Sequence, residues 1–164
     1  MSEHSKEERI IDLLTKNDLT VSTTESCTGG LLAGRLINVP GASNVFNEGF
    51  ITYSNKAKRK YLKVKKSTLK KYGAVSKKCA AEMAKGLAKR TGADVCVSTT
   101  GIAGPGGGTD EKPVGLVYIG CCVNGRTRVK ECRFDGDRMQ VRKQSVDAAL
   151  KFMEKCVRKS ISEK

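Results

Sequence analysis

Apolar residues recur along the chain in two rhythms, and each change of rhythm marks an element. From Lys6 to Lys16, Ile10, Leu13 and Leu14 fall at helical spacing and predict an amphipathic opening helix. Leu19 to Thr24 alternates and is rich in β-branched residues, which predicts a first strand. Leu31, Leu32, Leu36 and Ile37 then predict a helix capped by Ser26 or Thr28 and ending before Pro40-Gly41. Val45 to Tyr53, with Phe46, Phe50 and Ile51, reads as the second strand. Ser54 or Asn55 caps the lysine-rich helix expected after it.

Ser67 and Ser76 are expected as two further N-caps. Beyond Ser76, Ala80, Met83, Ala84, Leu87 and Ala88 keep one helical face apolar until Gly92 stops the helix. Val95 to Thr100 predicts a strand that delivers a glycine loop at its carboxyl end. Val114 to Val123 and Arg126 to Phe134 flank Asn124-Gly125, the strongest hairpin signal in the chain. Asp135 or Asp137 opens a last helix with Ser145, Ala148, Ala149, Phe152, Met153 and Cys156 on one face, and the tail after Arg158 is expected to fray. Strands alternating with helices, followed by one hairpin, predict an α/β fold: a three-layer α/β/α sandwich whose mixed sheet is mostly parallel. No repeat or linker divides the sequence, so residues 1–164 are expected to form a single domain.

Composition narrows the class. With 38% hydrophobic and 29% charged residues the chain is expected to be globular and cytoplasmic, with no membrane contact. No apolar run approaches the roughly 20 residues of a membrane span, and Met1 to Lys6 lacks the apolar stretch of a secretion signal. Seven cysteines, an odd number without a Cys-x-x-Cys pair, read as reduced and mostly buried. The one histidine, His4, gives a zinc site little to build on, so neither metal nor other cofactor is expected.

The formal charge of +14 is partly concentrated in a lysine-rich stretch running from Lys56 to Lys71. Such a field attracts anions, from nucleotides to nucleic acid. A solvated helical face explains the stretch more simply. Tyr61 and Tyr72 are isolated and form no stacking platform, so nucleic acid is not the expected partner.

Three segments carry candidate chemistry. Glu25-Ser26-Cys27-Thr28-Gly29-Gly30 puts a hydroxyl where a strand meets a helix, with the amides of Thr28, Gly29 and Gly30 available to an oxyanion. The simpler reading is a helix cap followed by two glycines that ease packing. Thr52-Tyr53-Ser54-Asn55-Lys56-Ala57-Lys58 supplies an amine and a phenol. A serine needs a base, and with no suitable histidine the serine–lysine arrangement remains, with Ser26 attacking, Lys58 as base and Tyr53 assisting. Burial and neighbouring cations would both lower the lysine's pKa from about 10.4. Asn55 shares the helical face of Lys58.

The loop Gly101-Ile102-Ala103-Gly104-Pro105-Gly106-Gly107-Gly108 follows a strand but leads into no helix, so it fits neither the dinucleotide fingerprint nor the P-loop. Close backbone approach to a ligand is its expected use, through Gly101, Ala103 and Gly104. Arg138 and Arg142, one turn apart after Gly136-Asp137, form a candidate phosphate clamp; surface arginines beside an Asp137 cap would look the same.

These segments, in this order, resemble the C-terminal domain of the CinA family. The likeness runs through Thr24 to Gly30, Gly49 to Asn55, Gly73-Ala74-Val75-Ser76, Gly101 to Pro105, Lys112-Pro113-Val114-Gly115 and Gly136-Asp137-Arg138, and covers the chain to about residue 155. It implies a three-layer α/β/α fold and a nicotinamide-nucleotide amidohydrolase. Such an enzyme converts nicotinamide mononucleotide and water to nicotinic acid mononucleotide and ammonia, in pyridine nucleotide recycling. It also implies Ser26 as nucleophile and Lys58 as base, with Tyr53 assisting. Where the family often carries glutamate this chain has Lys56, which reverses the charge beside the base. Longer members carry an N-terminal domain resembling molybdopterin-binding proteins, and no activity of that domain is carried over. A small nucleotide is the expected partner, alone or in a homo-oligomer. The alternatives are a non-catalytic nucleotide-binding module associated with competence, or a basic nucleic-acid-binding protein.

Overall fold

The change from period-2 to period-3.6 patterning builds a five-stranded sheet covered by helices on both faces, in a computed structural model that describes residues 3–164. In chain order the elements are α1 (Lys6–Lys16), β1 (Val21–Glu25), α2 (Leu31–Ile37), a 3-10 turn (Ala42–Asn44), β2 (Phe46–Ile51), α3 (Asn55–Leu62), α4 (Lys66–Tyr72), α5 (Lys77–Thr91), β3 (Val95–Gly101), β4 (Leu116–Val123), β5 (Arg126–Arg133) and α6 (Arg138–Ser162). The sheet order is β2-β1-β3-β4-β5.

β1 pairs in parallel with both β2 and β3, whereas β4 runs antiparallel to β3 and β5. All strands but β4 therefore point the same way. By pairings, however, the sheet is half parallel and half antiparallel, because inserting one reversed strand replaces two contacts. Asn124 (φ 47°) and Gly125 (φ 84°) turn the β4–β5 hairpin in the left-handed conformation their types tolerate.

Alternate residues of β3 and β4 feed opposite cores. Val95, Val97, Val117, Ile119 and Cys121 face α1, α2 and α6, packing with Leu14, Leu32, Leu36, Leu150 and Met153. Cys96 and Cys122 face the other way, against Met83, Ala84 and Leu87 of α5 and Leu62 of α3. All seven cysteines are free and buried, as their apolar surroundings in the sequence imply. No helix of the described residues is long and apolar enough to cross a membrane.

Several boundaries and caps differ from the sequence expectation. β2 stops at Ile51 and lies at the sheet edge, so Ile51 is 60% exposed despite its apolar side chain. Neither Ser26 nor Thr28 caps α2; Gly30 in the left-handed region occupies the N-cap position and has no side chain to offer. α4 begins after Lys65 rather than at a Ser67 cap, whereas Ser54, Ser76 and Asp137 do accept from their helices' first-turn amides. The expected fraying after Arg158 does not occur: α6 runs to Ser162, and Glu163 is tied to Arg126 (2.7 Å) and Arg128 (3.8 Å) on β5.

Candidate active site

β1 and β2 are parallel neighbours whose following helices leave in opposite directions, α2 to one face and α3 to the other. In an open α/β sheet such a divergence opens a crevice beyond the strands' carboxyl ends. Two of the three candidate segments meet there: the turn after β1 carries Ser26, and the connection after β2 leads to Lys58 on α3. β3 delivers the glycine loop alongside.

Ser26 and Lys58, 32 residues apart, are in contact, with Nζ 3.0 Å from Oγ. Lys58 is only 1% exposed, and Ser26 is buried as well. The Lys58 amine also donates to the main-chain carbonyls of Thr52 (2.9 Å) and Tyr53 (3.2 Å). With Ser26 Oγ as a third acceptor, these partners match the three N–H groups of an ammonium, and the Ser26 hydroxyl in turn points to the Tyr53 carbonyl at 3.4 Å. Once neutral, the amine can keep its two bonds to the carbonyls and turn its lone pair to the hydroxyl.

Burial depresses the Lys58 pKa, because the ammonium loses its water. The adjacent Cys79 and Cys27 would oppose this only as thiolates. Burial raises each thiol to about 11, so both stay uncharged near neutral pH. Cys27 is thus a buried thiol next to the serine, kept in its less nucleophilic, uncharged form.

Glu25 fixes the turn that presents Ser26. Its buried carboxylate accepts from the Leu32 amide (2.8 Å), the Ala33 amide (3.1 Å) and the Thr28 hydroxyl (2.5 Å). A carboxylate at the amino end of α2 satisfies its orphan donors and complements its dipole. The Thr28 hydroxyl bridges on to Thr99 of β3 (2.8 Å), and the Ser26 amide donates to the Thr99 carbonyl (3.0 Å). The serine is therefore held by main chain and side chains from two strands.

Within that turn the Gly29 amide is already engaged by the Ser26 carbonyl (3.2 Å). Among the described residues the amides of Cys27, Thr28 and Gly30 donate to no other residue, and these are the donors left for an oxyanion.

The two arginines of α6 reach the site from the far side. Arg142 donates to the carbonyls of Cys27 (3.0 Å) and Thr28 (3.1 Å), so its guanidinium braces the serine turn. Arg138 donates to the Gly104 carbonyl (2.7 Å) and lies 3.4 Å from the Tyr53 hydroxyl. The Tyr53 side chain is 62% exposed and makes no hydrogen bond to the Ser26–Lys58 pair; that residue serves the amine through its carbonyl instead. Asn55 is exposed at the first position of α3, near the mouth. Ala103 and Gly104 are buried beneath Arg138, and Gly101 ends β3. Among the described residues no group of His, Cys, Asp and Glu gathers as metal ligands.

Sequence reasoning misses two contributors and gives a third, Arg142, a different role. Glu25 carries a legible signal, a carboxylate shortly before a helix start. The carbonyls of Thr52 and Tyr53 carry none, because main-chain acceptors are common to every residue. Arg142 was expected to face a ligand rather than the turn itself.

The fold and site define an α/β/α domain with a buried serine–lysine pair at a strand-end crevice. The chain belongs to the CinA C-terminal domain family, which it matches over residues 3–157. It is 59% identical over 156 residues to a Clostridium novyi protein provisionally named competence-damage inducible, covering 94% of this chain and 38% of that one. A Clostridium acetobutylicum relative of the same name is 58% identical over 141 residues, 86% of this chain and 34% of its own length. The chain thus spans little more than a third of those curated relatives.

Among solved structures, the competence/damage inducible protein CihA from Agrobacterium tumefaciens superposes with a TM-score of 0.88 at 45% identity, covering 93% of this chain and 97% of that one. The competence damage-inducible protein A (ComA) from Klebsiella pneumoniae gives 0.88 at 35% identity, covering 92% and 94%.

Proposed function

We propose that the chain is a serine–lysine amidohydrolase that deamidates nicotinamide mononucleotide. The observation that carries this reading is the 3.0 Å contact between a buried lysine amine and a serine hydroxyl. Neutral Lys58 takes the Ser26 proton as the oxygen attacks the carboxamide carbon. The Thr28 and Gly30 amides receive the oxyanion. The resulting lysine ammonium returns its proton to the leaving nitrogen, the C–N bond breaks, and ammonia departs from an ester on Ser26. Water, deprotonated by the same amine, then attacks that ester and releases the nicotinic acid nucleotide with Ser26 reprotonated.

Arg138, beside the exposed Tyr53 phenol and the glycine loop, is the cation best placed for the nucleotide's phosphate, because it is exposed whereas Arg142 is half-buried with two of its nitrogens on the turn. Incubation with nicotinamide mononucleotide, with ammonia measured, tests the assignment. Free nicotinamide, which lacks the phosphate and ribose, is expected to be a far poorer substrate. Binding of the nucleotide with no ammonia released would leave only a binding module.

Two further outcomes are expected. Because only the neutral amine is a base, kcat should rise with pH through the lowered pKa of Lys58 and level off above it; a rise that comes only in the ordinary lysine range, or no rise at any pH at which the protein stays folded, would contradict the role. Arg142→Lys should lower kcat by about 10–100-fold while the protein stays folded, since an ammonium cannot reproduce two directed bonds to neighbouring carbonyls. A steady-state assay beside circular dichroism separates the two effects.

A further inference from the structure

We propose that the layer formed by α3, α4 and α5 is a docking surface for the sugar-phosphate backbone of nucleic acid. The net charge of the protein is almost wholly confined to it. From Asn55 to Thr91 the chain holds 14 of the 31 lysines and arginines but only one of the 17 acids, Glu82. The rest of the chain carries 17 cations against 16 acids. Apart from Lys58 every one of those 14 cations is exposed.

The ion-pair pattern sharpens the asymmetry. Ten ion pairs join described residues, all outside this layer, so its cations have no carboxylate partner among the described residues. Lys56, Arg59, Lys60, Lys63, Lys65 and Lys66 surround an open cleft of about 480 Å³ in which the only other lining residue is Val64. A second groove, along α5, adds Lys77, Lys78 and Lys85. Holding so many like charges together costs free energy through repulsion, which a bound polyanion would relieve.

The chemistry of the layer selects among polyanions. α5 alone is 15 residues, roughly 22 Å long, so the cations span many phosphates rather than one. Anionic membranes and acidic proteins are usually gripped by protruding apolar anchors as well as charge. Within this layer Tyr72 is the one large apolar side chain exposed, at 40%, and Lys71 and Lys78 lie over its ring. Twelve of the 14 cations are lysine point charges, Arg59 and Arg90 being the exceptions, and Arg90 lies over the Phe50 and Tyr61 rings; a surface so dominated by lysine implies contact with phosphates that is largely independent of sequence.

The test is fluorescence anisotropy with a labelled duplex of about 20 base pairs, run from about 50 to 200 mM salt. Binding is expected to fall by about 10³-fold or more over that range if six or more phosphates are contacted. Replacing Lys63, Lys65, Lys66 and Lys70 together by Gln should weaken binding at least tenfold and flatten the log–log salt slope by about 3. A control with Lys130, Lys143, Lys151 and Lys164 changed to Gln removes the same charge outside the layer and should have a much smaller effect. Failure to bind at the lowest salt, equal losses in both variants, or tighter adsorption to phosphatidylserine vesicles than to the duplex would each overturn the proposal.

Discussion

Ser26→Ala is expected to lower ammonia release from nicotinamide mononucleotide by about 10³-fold or more, with the fold unchanged, because the neighbouring Cys27 is buried as an uncharged thiol and the alanine leaves Lys58 no hydroxyl to activate. Lys58→Met should produce a loss of similar size. The double variant should be no worse than either single one, since a nucleophile without its base and a base without its nucleophile fail at the same step. Additive losses would show the two side chains acting separately, and undiminished turnover in Ser26→Ala would remove the nucleophile from the mechanism.

Lys58→Met carries a second, opposite signature in stability. Lys58 has a folded pKa below its unfolded value of about 10.4, so between the two the unfolded chain binds more protons. Stability therefore climbs as pH rises across that window, and below it the buried charge costs its full penalty. Replacing the lysine with a methionine of similar length removes both the cost and the slope. The variant should accordingly unfold at a higher temperature than the wild type at neutral pH, while having lost its activity. A residue that weakens the fold and is nevertheless in contact with a serine is the pattern expected of a base retained for chemistry.

Much of this site was legible in the residues, and the limits of legibility have physical causes. Ser26 and Lys58 can be named as a candidate pair because a hydroxyl needs a base where no suitable histidine exists, and because the motifs that hold them resemble those of the CinA family; a plain helix cap remains the simpler reading of the serine alone. The hairpin, the Ser54 and Ser76 caps and the three layers follow from local preferences that neighbouring contacts reinforce. The cap of α2 was misassigned because local reading favours the nearest hydroxyl, whereas the carboxylate of Glu25 reaches forward from the strand to Leu32 and Ala33. The role of Arg142 depends on where α6 packs, more than a hundred residues downstream of the turn it braces. Tyr53 illustrates a subtler gap: the sequence points to its phenol, whereas it is the carbonyl that touches the amine. Side-chain chemistry is written in a sequence; main-chain chemistry is written only in the fold.

Gly86→Ala should cripple the same reaction from a distance. Gly86 lies in α5 where it crosses α3, and a methyl group there would run into the main-chain carbonyl of Leu62. Backbone cannot rotate aside as a side chain can, so α3 has to move or the two helices must part. Leu62 is one helical turn beyond Lys58, and both are buried on α3. Displacing that helix by even about 1 Å moves Nζ relative to Oγ of Ser26, which is enough to cost about 10²-fold in rate.

Alanine would otherwise favour a helix interior by up to about 1 kcal/mol over glycine, so propensity alone predicts a more stable protein. Close packing between α3 and α5 predicts the reverse, a loss of about 1–3 kcal/mol. Denaturant unfolding distinguishes the two by sign. A kinetic assay on the folded fraction then asks whether kcat falls with little change in KM, the split expected when the base is misplaced and the nucleotide's own contacts are spared. An alanine variant with unaltered stability and rate would mean that the spacing of α3 and α5 is not what sets the amine against the hydroxyl.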